Sequence, residues 1–278
     1  MRGYPRASKL HGVSALLDNC LAVLLDLDGT IYHDEHPLPG AVDLVHRLQK
    51  RQIKFACLSN STTSPLRVME RLLRMGIDID PSNIYTAAAA TADYVLATYP
   101  DRPRIFNVAT EGVQEMLDGL VDWVETGGEP CSAIVVGNQN NAYVTEERLR
   151  IALQLARKGA HVIGISADRV FPSARGIEFG CGALTQMLAY GAGVEPVFCG
   201  KPQRLFFESL CRRIDVPPEK CVLIGDNVES DIVGAKAVGM HTILTLTGVT
   251  RRKSLRDLMP HMQPDEVIED LTELLTEV

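Results

Sequence analysis

No excess of positive charge is present in this sequence, whose formal net charge is −7. That argues against nucleic acid as a main partner, because a phosphate backbone wants a basic face. No apolar run approaches the roughly 18–20 residues that a membrane helix needs, so no membrane partner is expected. The opening MRGYPRASKLHG has no apolar core for a signal peptide, and residues 1–12 read as a loose tail. No C-x-x-C occurs among the seven cysteines (Cys20, Cys57, Cys131, Cys181, Cys199, Cys211 and Cys221), and the seven histidines lack ligand spacing. A zinc site or a disulfide framework therefore fits poorly, and a reduced, cytoplasmic chain fits best. Neither a repeat of fixed period nor a low-complexity tract occurs.

What is there is enough apolar material for a sizeable core, 46% of 278 residues. It comes in short runs: LAVLL (21–25), IKFACL (53–58), RIFNV (104–108), AIVVG (133–137), HVIGI (161–165), PVFCG (196–200), CVLIG (221–225) and HTILTL (241–246). Helical patterns lie between them at Ala41–Lys50, Leu66–Met75, Ala87–Thr98, Thr145–Lys158, Leu205–Ile214 and Ser230–Val238. Continuous apolar strands alternating with helices mean an α/β protein with a parallel sheet covered on both faces. Gly76, Gly159 and Gly239 each come directly after a helical pattern, where a left-handed cap is expected. Residues 99–103 and 191–196 read as linkers. The segment between them is either a second domain inserted into the first or part of one large sheet.

Four of the apolar runs end in polar residues of a particular kind. LAVLL ends in Asp26-Leu27-Asp28, FACL in Ser59-Asn60-Ser61, VFCG in Lys201-Pro202, and VLIG in Asp226-Asn227, with Asp231 shortly after. In an open parallel sheet the carboxyl ends of the strands line one edge, where ligands bind. Acids gathered there cannot all stay ionised without a cation, and oxygen ligands without His or Cys select a hard ion such as Mg²⁺. Each piece also has an ordinary explanation. Asp28-Gly29 can be a turn, Asp226 and Ser59 can be helix caps, Asp231 suits a helix's first turn, and Lys201 can be a solvated lysine. Jointly these explanations require four coincidences on one edge.

At these residues the chain resembles the haloacid dehalogenase (HAD) superfamily, through DLDGT (26–30), LSNS (58–61), GKP (200–202) and GDNVESD (225–231) in order. The 142-residue step from position 59 to position 201 leaves room for an inserted cap. With IYHDEHPLPGA (31–41), IYTAAAATADYV (84–95), GCGAL (180–184) and LTGV (246–249), it is similar to the NagD-like, type IIA phosphatases with a C2-type cap. The resemblance implies a Rossmann-like parallel-sheet core, residues 1–100 and 195–278, with an inserted α/β cap domain at 101–194. It implies Mg²⁺-dependent hydrolysis of a small phosphorylated metabolite, of nucleotide or sugar phosphate type, through an aspartyl-phosphate. Asp26 is then the nucleophile and Asp28 the general acid and base. Ser59, Asn60 and Lys201 contact the phosphoryl group. Asp26, Asp28 (through its carbonyl) and Asp226 hold the metal, with Asp231 and Asn227 around them. A homodimer through the cap is also implied.

The cap departs from the family pattern. It carries Asn138-Gln139-Asn140-Asn141 where relatives have an acidic or varied loop, and Ile165-Ser166-Ala167-Asp168 where many have T-N-x-D. Asn138 and Asp168 are the candidate substrate contacts, against the alternative of a polar surface loop; Phe171, Arg175 and Glu178 are weaker ones. The rival functions are phosphoryl transfer to an acceptor, as in phosphotransferases and phosphomutases, and a non-catalytic regulator that binds a phosphate ligand. A dinucleotide-binding oxidoreductase would need G-x-G-x-x-G after the first strand, and Asp28-Gly29-Thr30-Ile31-Tyr32-His33 is not that.

Overall fold

The computed structural model describes residues 9–139, 141–173 and 176–278. Asn140, Arg175 and residues 1–8 of the expected tail lie outside the described residues. Positions 9–12 of that tail instead open the helix Lys9–Asn19. The chain forms two compact units. One comprises the chain up to Ser59, Val68–Tyr85 and Phe207–Val278; the other comprises Asn60–Arg67 and Thr86–Phe206.

The first unit is built on a six-stranded sheet in the order Glu266–Ile268, His241–Thr245, Cys221–Gly225, Ala22–Asp26, Lys54–Ser59, Ile84–Thr86. At its centre, Ala22 stands opposite both Cys221 and Lys54, and every pairing there is parallel. The central strands Ala22–Asp26 and Cys221–Gly225 are buried at every residue. That two-sided burial is why they read as unbroken apolar runs rather than as alternation. The helix Ala41–Lys50 shows how the sheet is covered. It buries Ala41, Leu44, Val45 and Leu48, one stripe at helical spacing, with Asp43 in its first turn and Arg47 and Lys50 in its last.

The second unit repeats the principle with different residues. Its five-stranded parallel sheet runs Val197–Phe198, His161–Gly164, Ala133–Val136, Arg104–Val108, Asp122–Trp123. Phe106, Ile134, Val136 and Val162 pack there against Leu155, Leu184 and Leu188 of the helices Glu146–Arg157 and Cys181–Ala192. An antiparallel hairpin, Val170–Ser173 with Gly176–Phe179, stands apart from that sheet.

All eight apolar runs contain strands, and Gly76, Gly159 and Gly239 have φ of 79°, 105° and 88°. One expectation is corrected. The four polar strand ends do not share a sheet, because the Val197–Phe198 strand of PVFCG pairs with His161–Gly164 in the second unit. A two-residue strand carries too few apolar positions to say which sheet it joins. Three short edge strands, Ile84–Thr86, Asp122–Trp123 and Glu266–Ile268, have no apolar run to announce them.

Candidate active site

In the first unit three parallel neighbours bring their carboxyl ends to one edge. Asp26 closes the Ala22–Asp26 strand, Ser59 closes Lys54–Ser59, and Asp226 comes directly after Cys221–Gly225. All three are buried. The Leu27 N–H donates to the Leu58 carbonyl at 3.1 Å, which carries the pairing one residue past Asp26. The chain then turns sharply: the Leu27 carbonyl accepts from the N–H groups of Thr30, Ile31 and Tyr32. Gly29 makes this turn at φ 85°, and a Cβ there would lie 2.6 Å from Asp226 Oδ2. The glycine is therefore required twice, for the left-handed backbone and for the space the carboxylate occupies.

The segment after the Cys221–Gly225 strand positions Asp226 and Asp231. Asn227 caps a π-helical turn, Val228–Ile232, with its side chain accepting from the N–H groups of Glu229 and Ser230. The turn swings Asp231 back, and its Oδ2 accepts from the Asn227 N–H at 3.1 Å. The Asp226 side chain accepts from the Val249 N–H, and its carbonyl accepts from the Thr250 N–H at 3.1 Å. Thr250 in turn accepts from the Val228 N–H, and Thr247 donates to the Gly29 carbonyl at 2.6 Å. A Cβ on Gly248 would collide with Asp226, and one on Gly225 would lie 2.5 Å from Asp231 Oδ2. These two glycines and Gly29 leave room for the carboxylates.

Asp26, Asp226 and Asp231 each offer a carboxylate oxygen, and these atoms lie within 4.8 Å of one another. Three buried acids this close repel strongly in a low dielectric unless a cation joins them. The donor set is all oxygen and already gathered, so it fits a hard divalent ion of the Mg²⁺ type. The field of Asp26 reaches its surroundings: burial, and then the Asp26 carboxylate, push the Cys57 thiol up to about 12. Asp28 is exposed beside this cluster and accepts from the Tyr32 hydroxyl at 3.1 Å. Burial first, then the Asp28 charge, push the Tyr32 phenol upward, so it stays a donor. The Arg71 guanidinium lies 4.5 Å from the Tyr32 ring centroid.

The other candidates stand in the second unit. Asn60, Lys201 and Asp168 form one connected set. Asn60 bonds the Lys201 main chain twice and Asp168 once. Asn138 is turned elsewhere: its Oδ1 accepts from the Cys181 N–H at 3.1 Å and from the Cys181 thiol at 2.9 Å, at the start of the Cys181–Ala192 helix. Glu178 lines a cleft of about 340 Å³ with Gln139, Val170, Ile177 and Phe179. Thr30, Tyr32 and the 247–250 loop did not stand out in sequence by chemistry. Thr30, Tyr32 and residues 247–249 enter the sequence reading only inside the DLDGT, IYHDEHPLPGA and LTGV stretches, with no role attached, and Thr250 does not enter it at all.

The chain is similar to known proteins along most of its length. A family profile described as haloacid dehalogenase-like hydrolase matches residues 23–120, and a second, HAD-hydrolase-like profile matches 198–274. The chain is 30% identical over 251 residues to the 5'-nucleotidase YutF of Bacillus subtilis, covering 90% of this chain and 95% of that one. It is 31% identical over 260 residues to the acid sugar phosphatase of Staphylococcus aureus, covering 92% and 97%. The solved structure of a 4-nitrophenylphosphatase from Thermotoga maritima superposes with a TM-score of 0.84 at 28% identity, covering 94% and 98%. The chain belongs to the haloacid dehalogenase superfamily and, within it, to the NagD-like phosphatases, which are phosphomonoesterases. No described helix is long and apolar enough to cross a membrane.

Proposed function

We propose that this protein hydrolyses small phosphomonoesters through an aspartyl-phosphate on Asp26, with a divalent cation, Mg²⁺, as cofactor. The observation that carries the reading is the buried cluster of Asp26, Asp226 and Asp231 with oxygen atoms within 4.8 Å. Asp26, the Asp28 carbonyl and Asp226 would hold the cation, and Asp231 would orient them from the same cluster. When bound, the cation screens the carboxylates and the phosphoryl oxygens, so that one anion can approach another.

In the first step an Asp26 oxygen attacks phosphorus, and the bond from phosphorus to the ester oxygen breaks. Asp28 gives its proton to that departing oxygen. In the second step Asp28 takes a proton from water while the water oxygen attacks phosphorus. The phosphorus bond to Asp26 breaks, inorganic phosphate leaves, and the Asp26 carboxylate is restored. The Tyr32 hydroxyl, bonded to Asp28, supports an orientation in which Asp28 faces the leaving group. Ser59 and Lys201 are assigned to phosphoryl oxygens by their motif positions. Residues 101–194 are assigned as the cap that selects the leaving group. The named activities of the relatives favour nucleotide or sugar phosphates.

The test is release of inorganic phosphate from a panel of such esters, with and without Mg²⁺, by the wild type and by Asp26→Asn. Asp26→Asn is expected to lose about 10⁴-fold or more in kcat, as removal of a nucleophile does elsewhere. Near-wild-type turnover by Asp26→Asn would overturn the mechanism. Transfer of labelled phosphate to an alcohol acceptor in place of water would overturn hydrolysis.

A further inference from the structure

The carboxamide of Asn60 is fully engaged within the second unit. Its Oδ1 accepts from the Lys201 N–H at 2.8 Å, and its Nδ2 donates to the Lys201 carbonyl at 3.1 Å and to Asp168 Oδ2 at 3.3 Å. The partners fix which way the amide points. A main-chain N–H can face only the oxygen, whereas a carbonyl and a carboxylate can face only the nitrogen. Two acceptors take both protons of the NH₂ group, so neither is left for a phosphoryl oxygen. Asp168 is itself held, since the buried Ser166 donates to the same Oδ2 at 2.7 Å. Space is reserved for the arrangement as well: a Cβ on Gly200 would lie 2.8 Å from Asn60 Oδ1.

We propose that Asn60 is a positioning residue for Lys201 rather than a ligand of the phosphoryl group, and that Asp168 and Ser166 hold Asn60 in that role. The inference rests on the phosphatase reading for what Lys201 does, but the clamp itself is a property of the chain. It gives Asp168 a task other than contact with the leaving group. Lys201 is buried, and its main chain is gripped on both sides by one amide. Fixing the backbone fixes where the ammonium projects, and misplacing a catalytic group by about 1 Å can cost on the order of 10²-fold.

The experiment is a double-mutant cycle with Asn60→Ala and Lys201→Ala, read by kcat and KM for 4-nitrophenyl phosphate and by inhibition with inorganic phosphate. Amide hydrogen exchange at Lys201 is measured alongside. Asn60→Ala is expected to lower kcat/KM about 10–100-fold alone and less than about twofold in the Lys201→Ala background, the non-additivity of residues acting as a unit. Exchange of the Lys201 amide should quicken at least about tenfold in Asn60→Ala, the free energy of one lost hydrogen bond. Asp168→Ala should reproduce part of both effects. Asp168→Asn, which keeps an acceptor for Asn60 and Ser166, should recover most of them; Asp168 is exposed, so neither variant threatens the fold. Losses that multiply in the cycle, or a further rise in the phosphate inhibition constant when Asn60→Ala is added to Lys201→Ala, would make Asn60 a direct ligand and overturn the proposal. Equal damage from Asp168→Asn and Asp168→Ala would remove Asp168 from the clamp. A wild type without turnover but with the expected exchange pattern would sink the phosphatase reading and leave the clamp standing.

Discussion

The two parallel sheets carry different polar groups at their carboxyl ends. At the carboxyl edge of the six-stranded sheet, Asp26 and Asp226 are buried with Asp231 at mutually repelling distance. At the carboxyl ends of the five-stranded sheet, the polar groups are matched to the chain itself. Asn107, near the end of Arg104–Val108, accepts from the Ala109 N–H and donates to the Thr110 carbonyl. Asn138, after Ala133–Val136, accepts from Cys181. Asp168, after His161–Gly164, accepts from Ser166 and Asn60. The same architecture thus offers one edge that gathers three carboxylates within 4.8 Å, each also accepting from the chain, and another whose polar groups are mainly amides bonded to main chain and hydroxyl. Fold alone does not separate a reaction centre from a scaffold; the balance of donors, acceptors and charge at the strand ends does.

This contrast can be broken most directly at Asp226. Asp226→Asn keeps an oxygen for the Val249 N–H but removes one of three clustered charges. We expect kcat to fall by about 10³-fold, as loss of a group that stabilises transition-state charge does. Without metal, the variant should melt higher than the wild type by about 3 °C or more, because repulsion is relieved. The Mg²⁺-induced rise in Tm, about 2.7 kcal/mol of stabilisation at 100 times the Kd, should largely vanish. Calorimetry with and without chelator checks both, and an unchanged Mg²⁺ response would remove Asp226 from the cation site. Asp231→Asn should move activity and metal-free melting in the same directions by smaller amounts, because its Oδ2 is also tied to the Asn227 N–H.

The second sheet should respond with the opposite sign. Asn138→Ala leaves the buried Cys181 N–H without its acceptor at the start of a helix, so stability should fall by about 1–2 kcal/mol. Chemical denaturation measures this, and a variant as stable as the wild type would mean that this edge is not self-satisfied.

The smallest effect is expected at the amino ends of the first unit's strands. Asp265 holds the Thr242 N–H and hydroxyl and pairs with Lys236 at 2.8 Å. Burial raises the Asp265 carboxyl, but Lys236 and Thr242 outweigh it and leave the group below the usual carboxylate range. A lowered folded-state pKa contributes stability above the unfolded value and loses it as pH falls through the folded one. Asp265→Asn should therefore cost roughly 0.5–1 kcal/mol near neutral pH, discounted for partial exposure, and progressively less as pH falls below the ordinary carboxylate value. Denaturation midpoints at several pH values decide it, and a cost that persists in acid would assign it to shape rather than charge.

How much of this was legible depends on the residue. Asp26, Asp28, Ser59 and Asp226 could be read because each interrupts or succeeds an apolar run long enough to be a buried strand. The role of Gly29 could not, since nothing in Asp28-Gly29 says that a carboxylate some 200 positions away fills the space where a Cβ would be. Tyr32 carries no sequence signal for its role, since the hydroxyl bond to Asp28 exists only in the folded chain. Lys201 was read beside the right motif but on the wrong sheet, because a two-residue strand has almost no pattern of its own. Asn60 and Asn138 looked alike as amides near strand ends. Only their partners distinguish a clamp on Lys201 from a helix cap.

The alternation of the longer strands with helices, and the acids that close or follow two of those strands, are already determined by the chain alone. Apolar periodicity and short-range turn chemistry are local properties and survive being written in one dimension. Which strands became neighbours, that Asp231 turned inward to join Asp26 and Asp226, and that Asn60 took hold of Lys201 were decided only in three dimensions. Repulsion between carboxylates and the saturation of an amide depend on distances of a few ångströms between residues far apart in the chain, and no local pattern encodes those.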